Sequence, residues 1–202
     1  MCEEKFAARH YGSPIAPLDV LAEDELKAVA KAITLEPASA ADQEFFYQAY
    51  ASTRAEELVI TGWNDQQKEM FLRMQFEAQR QSYLTNIPDA KYSVICCGEV
   101  RAGRLIVERT ATEIHVVDIA LLPEFRRRGI GSFLFGALMN EAREAGKSMR
   151  LFVEKFNPAL HWYERLGFAT VGDGPIYLEM VWRPEEERQE LAGTVSAAGE
   201  HE

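Results

Sequence analysis

The sequence predicts an α/β domain, and three observations support this prediction. A mostly apolar, β-branched run at residues 114–122 has the composition of a strand buried on both faces. A glycine-containing turn follows, and residues 133–143 then show the amphipathic pattern of a helix. A second apolar run at residues 149–153 has the pattern of another buried strand. Strand and helix patterns that alternate in this way favour one sheet flanked by helices.

The composition narrows the class of protein. The 202 residues carry a net charge of −10 with 47% hydrophobic residues, which suits one acidic globular domain with extensions. An acidic chain argues against nucleic acid as a partner and weakly favours a cationic one. The three cysteines, Cys2, Cys96 and Cys97, form neither a disulfide framework nor a zinc motif, so we expect a reduced, cytoplasmic protein. No apolar run reaches about 18 residues, so we expect no membrane contact.

The N-terminal half begins with an extension, residues 1–32. Its residues 18–32 have a thin helical stripe, and the pattern leaves open whether the extension is helical or disordered. Residues 33–37 then read as a strand, and Ser39 with Asp42 indicates a capping box. A helix is predicted through Tyr50, a connector at residues 53–63, and a second helix from Asp65 to about Leu84.

The C-terminal half alternates strands and helices. Strands are predicted at residues 92–97 and 104–109, with the chain turning at residues 99–102 between two glycines. Gly146 is predicted to end the helix that follows the central strand, and Gly167 a short later helix. Residues 168–171 and 176–182 are predicted to pair as antiparallel strands, and residues 185–202 are expected to form a polar tail.

The loop after the central strand has the chemistry of an anion site. The first N–H groups of a helix lack intrahelical partners, and with the helix dipole they favour phosphate. Gly129 and Gly131 let the backbone approach a ligand closely. The Gly-Lys-Ser/Thr ending of a Walker A loop and the third glycine of a dinucleotide fingerprint are both absent from this loop. We therefore predict a pyrophosphate-bearing ligand on a loop that comprises Arg126, Arg127, Arg128, Gly129, Ile130, Gly131 and Ser132.

Two motifs in this order resemble those of the GCN5-related N-acetyltransferases (GNAT superfamily). The first is R-x-x-G-x-G, after a strand that ends at Pro123. The second runs from Asn157 to Phe168 and is similar to N-x-x-A-x-x-Y-x-x-L-G-F, although its Asn-to-Tyr spacing is six where many members have seven. The resemblance implies a GNAT domain over residues 33–184, with a mixed, mostly antiparallel, bent sheet of six to seven strands and about four helices. Acetyl-CoA would lie in an opening between the fourth and fifth strands.

The resemblance also assigns residues to the cofactor arm. In the family, a bulge separates the central strand from its neighbour, and the freed backbone groups bind the pantetheine arm and polarise the acetyl carbonyl. The sequence itself does not reveal this bulge. The positions that match are Ile119, Ala120 and Leu121. Asn157 matches the family asparagine near the cofactor arm, and it also suits a helix N-cap followed by proline, so both roles remain open.

Three residues are candidates for proton transfer. Tyr163 matches a family tyrosine near the sulfur and is assigned as general acid, the alternative being a core tyrosine. His115 occupies a strand position where several members carry Glu or His, and imidazole suits proton removal near neutral pH. Glu113 shares the face of His115 and could act through water, or water alone could relay the proton. Asp118 is expected on the opposite face unless a bulge shifts the phase.

The expected activity is acetyl transfer from acetyl-CoA to a primary amine by direct attack, since neither motif contains a cysteine for a covalent intermediate. One alternative is a non-catalytic acyl-CoA-binding or sensing module, and another is an interaction protein whose arginines contact nucleic-acid phosphates. The acceptor remains open between small amines and protein amines, and the family resemblance allows a homodimer. No metal site is expected. Candidate positions for an acceptor pocket are Trp63, Phe71, Met74 and Tyr83.

Overall fold

The structure is a computed structural model that describes residues 32–55 and 57–184. These residues form seven strands and four α-helices, with short 3-10 helices at Ala40–Asp42, Val59–Thr61 and Pro123–Phe125. Residues 1–31 of the N-terminal extension, for which the sequence left helix or disorder open, and the predicted polar tail after residue 184 lie outside the described residues. In chain order the elements are β1 Ile33–Pro37, α1 Gln43–Arg54, α2 Asp65–Asn86, β2 Lys91–Cys97, β3 Val100–Arg109, β4 Glu113–Leu121, α3 Ile130–Glu144, β5 Ser148–Glu154, α4 Leu160–Arg165, β6 Ala169–Asp173 and β7 Tyr177–Trp182.

The described strands form one open sheet in the order β1-β2-β3-β4-β5-β7-β6. Its neighbours pair antiparallel except β4 and β5, which pair parallel. Only that pair needs a helical crossover, and α3 supplies it, because parallel neighbours cannot be joined by a tight turn. The predicted mixed, mostly antiparallel sheet with about four helices is confirmed.

The helices cover the two faces of the sheet in pairs. Phe135 of α3 and Trp162 of α4 pack with β4 and β5 side chains such as Leu151 in one apolar cluster. Phe46 of α1 and Phe76 of α2 belong to a second cluster. We call these two sides the α3/α4 face and the α1/α2 face. Since both faces are covered, the central strands are apolar nearly throughout, as their sequence indicated.

The hairpin between β2 and β3 turns earlier than the sequence predicted. Cys97 pairs with Val100, so the loop is only Gly98 and Glu99, and residues 100–102 already belong to β3. Gly98 has φ +61, a conformation that glycine adopts without steric cost. The predicted turn at residues 99–102 was therefore wrong in its extent.

Capping at the helix starts follows the sequence more closely. The predicted box of Ser39 and Asp42 is confirmed, with the Asp42 carboxylate accepting from the Ser39 N–H at 2.7 Å. Asn64 and Gln67 form a second capping box at the start of α2. None of the helices in residues 32–55 and 57–184 is long and apolar enough to cross a membrane.

Candidate functional site

A β-bulge divides β4 at Val117. Asp118 pairs with Ile106 of β3 and Val116 pairs with Val107, so one extra residue stands between them. Ile114 and Val116 before the bulge, and Ile119 and Leu121 after it, all join the cluster on the α3/α4 face. An extra residue shifts the alternation of side chains by one position. Asp118 therefore lies on the face of His115, the outcome that the sequence made conditional on a bulge.

An opening between β4 and β5 begins directly before that bulge. The two strands pair only from Glu113 with Ser148 to Val116 with Leu151. Beyond this point β4 continues to pair with β3, and β5 with β7. The backbone of residues 118–121 on the β5 side consequently has no ladder partner. Ile119, Ala120 and Leu121, the predicted cofactor-arm positions, all lie on this open part of β4.

The loop after β4 ends at an uncapped helix N-terminus. Gly129 has φ +75 and immediately precedes α3, and no side chain caps that helix. Arg127 also has a positive φ, +57, an uncommon conformation for a residue with a Cβ. In the first turn of α3 the Ser132 hydroxyl is buried and has no hydrogen-bond partner within the described part of the chain. A helix N-terminus with an additional unpartnered hydroxyl is suited to hold an anion.

The three arginines of the loop have different surroundings. Arg126 Nε donates to the Leu121 carbonyl oxygen at 2.8 Å, and its Nη2 donates to Ser52 Oγ of α1 at 2.8 Å. Arg126 therefore ties the loop to the end of β4 and to α1. Arg127 and Arg128 are exposed, and the Arg128 guanidinium lies 5.8 Å from the Phe125 ring. These two are the better placed for a ligand arriving from solvent.

Tyr163 and Asn157 come from the segment around α4. Tyr163 packs among aromatic rings on the α3/α4 face, 5.5 Å from Phe135 and 5.9 Å from Phe168 between centroids. Burial raises its pKa well above that of an ordinary tyrosine, and the negative charge of Asp118 acts in the same direction. The Asn157 side-chain oxygen accepts from the Ala159 N–H at 2.8 Å, a local turn contact just before α4, whose N-cap is Ala159 and not Asn157 as the sequence context suggested.

His115 lies where the opening begins, one residue before the last β4–β5 pair. Its side chain is on the α1/α2 face and the residue is 9% exposed. The ring meets Phe152 of β5 edge to face, 5.7 Å between centroids, and Nδ1 is 3.6 Å from a Glu108 carboxylate oxygen. Burial raises the pKa of Glu108, with further contributions from Asp89 and Glu113. Glu108 is a neighbour of the candidate base that the sequence did not single out.

Glu113 is held by an ion pair. Its carboxylate lies 2.8 Å from Arg150 Nη2, and Arg150 also binds Glu179 at 2.6 Å. The Glu113 carboxylate is therefore engaged by a guanidinium from the neighbouring strand β5. The structure thus brings Glu113 and His115 to the same face, with His115 nearer the start of the opening.

A buried polar group missed by the sequence analysis supports the bulge. Arg104 of β3 is 2% exposed, and its Nε donates to Asp118 at 2.8 Å while its Nη2 donates to Gln79 of α2 at 2.9 Å. Aromatic rings of α1 and α2, including Phe46 and Phe76, lie within 6 Å of the guanidinium. The available signal was a charged residue next to an apolar run in each strand, Arg104 before residues 105–107 and Asp118 after residues 116–117. Buried charges are almost always paired, so two such residues on neighbouring strands indicate an ion pair.

The predicted acceptor-pocket positions separate into three environments. Trp63 and Phe71 meet edge to face at 5.1 Å between centroids. Met74 is exposed, whereas Tyr83 is buried beneath α2. On the other side of the opening Glu154 of β5 is half-buried, and burial raises its pKa above the ordinary value.

Within residues 32–55 and 57–184, no three His, Cys, Asp or Glu side chains are grouped as a metal ion would require.

Comparisons with known proteins agree with this geometry. The family profile described as "Acetyltransferase (GNAT) family" matches residues 43–168. The PaiA N-acetyltransferase of Thermoplasma acidophilum, solved in complex with coenzyme A, superposes with TM-score 0.58 at 15% identity, covering 75% of this chain and 99% of that one. An acetyltransferase from Thermus thermophilus gives TM-score 0.54 at 18% identity over 75% of this chain and 97% of that one. At these identities the structural likeness concerns the fold.

One curated relative matches in sequence. It is an N-alpha-acetyltransferase of Sulfurisphaera tokodaii, 38% identical over 60 residues. The match covers 28% of this chain and 36% of the relative, so the chain spans about a third of that protein's length.

Proposed function

The chain belongs to the acetyltransferase (GNAT) family, and on this basis we propose that it moves the acetyl group of acetyl-CoA to a primary amine. The observation that carries the proposal is the opening between β4 and β5, which leads to the uncapped N-terminus of α3. A thioester on a long polar arm that ends in pyrophosphate needs both features. The strand edge can hydrogen-bond the arm, and the helix N-terminus can hold the phosphates.

The residues present fit acetyl-CoA. The N–H groups of Ile130, Gly131 and Ser132, with the Ser132 hydroxyl, would hold the pyrophosphate, and the exposed Arg127 and Arg128 would add positive charge. The backbone of residues 119–121 would hold the pantetheine arm and polarise the acetyl carbonyl. The bound thioester supplies an acyl carbon already activated toward an amine. The chain itself has to position that carbon and move protons.

Proton transfer is divided between the two faces of the sheet. As the amine nitrogen bonds to the acetyl carbon, the carbon–sulfur bond breaks, the nitrogen loses a proton and the sulfur gains one. His115, on the α1/α2 face at the start of the opening, would remove the proton from nitrogen. Tyr163, in the cluster on the α3/α4 face, would donate to sulfur, since its raised pKa keeps the hydroxyl protonated at neutral pH. Amine and thioester would thus meet across the opening and react directly.

Two observations narrow the choice of acceptor, namely the charge near the opening and the name of the matched sequence relative. Glu108, with a carboxylate oxygen 3.6 Å from His115 Nδ1, places negative charge beside the candidate proton acceptor near the start of the opening, which favours an ammonium group. The matched relative is named an N-alpha-acetyltransferase, so a peptide with a free α-amino group is the first acceptor to test. Small primary amines are the second.

A binding experiment tests the cofactor site. We would titrate acetyl-CoA calorimetrically into the wild type and into Ser132→Asp and Ser132→Ala. Aspartate near a helix N-terminus favours the helix but repels pyrophosphate, so we expect binding to weaken by more than about 10²-fold. Ser132→Ala removes only one hydroxyl, so we expect the affinity for acetyl-CoA to fall about tenfold. Unchanged binding by Ser132→Asp, or no binding by folded wild type, would contradict the site.

Turnover separates an enzyme from a binding module. With acetyl-CoA bound, an amine panel followed by thiol detection should show thiol release only when an acceptor is present. Tyr163→Phe should keep the affinity and lose most of the rate. Binding without release for any peptide or small amine would instead favour the non-catalytic acyl-CoA-binding alternative.

A further inference from the structure

A second site lies two strands away from the opening. A cavity of about 210 Å³ is formed by α1, α2 and the strands β2 and β3 on the α1/α2 face. Its buried floor is apolar and aromatic, with Phe46, Phe76, Tyr83 and Ile106. Exposed residues such as Gln43 and Leu84 form its rim, so the cavity is reachable from solvent. An apolar pocket with a few polar groups is the usual form of a small-molecule site.

One polar group in the wall has no partner. The Tyr92 hydroxyl is buried and makes no hydrogen bond within residues 32–55 and 57–184. Buried hydroxyls without partners are uncommon, because each forfeits the hydrogen bond that water provided in the unfolded chain. A ligand with an oxygen acceptor would restore that bond.

The charged side chains of the lining indicate the sign of the ligand's charge. Among the described residues, the lining includes Arg80 and Arg104 and contains no aspartate or glutamate. Glu77 binds Arg80 at 2.7 Å and Asp118 binds Arg104 at 2.8 Å, but neither acid lines the cavity. Burial raises the pKa of Tyr92, the positive charges of Arg104 and Arg80 oppose that rise, and the negative charge of Asp118 adds to it to a smaller extent, so positive charge predominates at the hydroxyl. In a chain of net charge −10, this is a local environment that favours an anion.

We propose that this cavity binds a small aromatic carboxylate. Its ring would pack on Phe46 and Phe76, and its carboxylate would accept from the Tyr92 hydroxyl and face Arg80. An apolar cavity of about 150 Å³ can hold benzene, so 210 Å³ accommodates one ring and a short acidic arm. The charge is opposite to that of an amine acceptor. The cavity is lined from α1, α2, β2 and β3, whereas the opening lies between β4 and β5, so the proposal does not depend on the proposed acetyl transfer.

The test uses three probes with one carbon skeleton. Phenylacetate, phenylacetamide and 2-phenylethylamine would be titrated into the full chain, followed by ligand-observed NMR. Tyr92→Phe removes only the hydroxyl, and Gln43→Glu adds a negative charge at the exposed rim with almost no change in shape. Tyr177→Phe removes a tyrosine hydroxyl outside the cavity and is the control. Circular dichroism and thermal melts would establish that each variant is folded.

We expect saturable binding of phenylacetate and none of the cationic probe. Tyr92→Phe should weaken phenylacetate about tenfold or more, the usual loss for a hydrogen bond to a charged group. Gln43→Glu should weaken phenylacetate about threefold to tenfold and leave phenylacetamide unaffected. Tyr177→Phe should bind as wild type does. Three results would overturn the proposal. Phenylacetate could show no saturable binding, its affinity could be the same in Tyr92→Phe and Gln43→Glu as in the wild type, or 2-phenylethylamine could bind more tightly than phenylacetate. Titration with acetyl-CoA tests the proposed acetyl transfer separately, and its result does not affect the proposed carboxylate site.

Discussion

The two halves of β4 share a strand but not an environment. Residues 113–116 pair with β3 on one side and with β5 on the other, whereas residues 118–121 pair with β3 alone. Both halves are buried apart from the half-buried Glu113, so burial does not distinguish them. The difference comes from one extra residue, Val117, which turns Asp118 toward Arg104. A single bulge thus separates the half that pairs with strands on both sides from the half that pairs with β3 alone among the described residues.

The open half lacks ladder bonds toward β5 and is held by other contacts. Arg104 binds Asp118 beneath α1 and α2, and Arg126 binds the carbonyl oxygen of Leu121. Gly103 of β3 allows close approach, because a Cβ there would lie 2.2 Å from the Ala120 carbonyl oxygen. The open half should therefore be more sensitive to substitution of these neighbours than the fully paired half.

The largest effect is expected from Asp118→Leu. It leaves the Arg104 guanidinium buried without its counter-ion, and removing one partner of a buried ion pair typically costs about 3 to 5 kcal/mol of unfolding free energy. Urea denaturation measures this loss. The double variant Arg104→Met, Asp118→Leu should recover most of it, because no buried charge remains. If the double variant is as unstable as the single one, the pair does not hold the bulge.

His115→Gln tests the fully paired half, where the opening begins. Losing a general base costs about 10²- to 10⁴-fold in rate. We expect the lower part, about 10²- to 10³-fold or about 3 to 4 kcal/mol of barrier, because Glu113 shares the face and could act through water. Steady-state kinetics with a saturating acceptor would measure kcat, and acetyl-CoA affinity should stay unchanged. A kcat within threefold of wild type would exclude His115 as the base.

Gly103→Ala tests the contact between β3 and the open half. The added methyl would meet the Ala120 carbonyl oxygen, a backbone atom, so the strands must move apart. Overpacking of this kind costs about 1 to 3 kcal/mol, measurable by denaturant titration. Gly136→Ala in α3 is the matched control. Nothing lies within 4 Å of its added Cβ, and helix propensity favours alanine there by up to about 1 kcal/mol. Equal destabilisation by both variants would refute the role of close approach.

Glu154→Gln is expected to have the smallest effect, and its sign depends on pH. Glu154 lies on β5 beyond its last pair with β4, and burial raises its pKa above the ordinary 4.5. Below pH 4.5 the carboxyl is protonated in the folded and unfolded chain alike. As the pH rises, the unfolded chain ionises first, so the wild type loses stability while the folded group titrates. The glutamine variant avoids this loss.

We expect Glu154→Gln to raise the free energy of unfolding by less than about 1 kcal/mol at pH 7, since the half-buried side chain is partly screened by solvent. This stabilisation should vanish at pH 4. The exposed Glu124→Gln removes the same charge without the burial and should show no comparable change between the two pH values. A gain for Glu154→Gln that is the same at pH 4 and pH 7 would show that desolvation of the carboxylate is not its cause.

Local features of the candidate site could be predicted from the sequence. Gly129 and Gly131 before an amphipathic run predicted a helix start at the loop, and Asn157 before proline indicated a local side-chain contact to the backbone, although α4 begins later than an Asn157 N-cap would require. Each depends on residues within a few positions of one another, which is the range over which sequence patterns act. The hairpin at Gly98 was placed too late, because residues 100–102 carry no strand alternation of their own and pair only through their register with β2.

By itself, the sequence determined the order of strands and helices, the glycine loop and the two motifs, because turn conformation, capping and hydrophobic period are set by neighbouring residues. Only the tertiary structure decided that Asp118 faces Arg104 and that Arg126 binds β4 and α1. It also decided that the Tyr92 hydroxyl, beside a cavity, has no hydrogen-bond partner among the described residues. These depend on register and on contacts between residues far apart in the chain. A one-residue shift in pairing redirects every side chain that follows it.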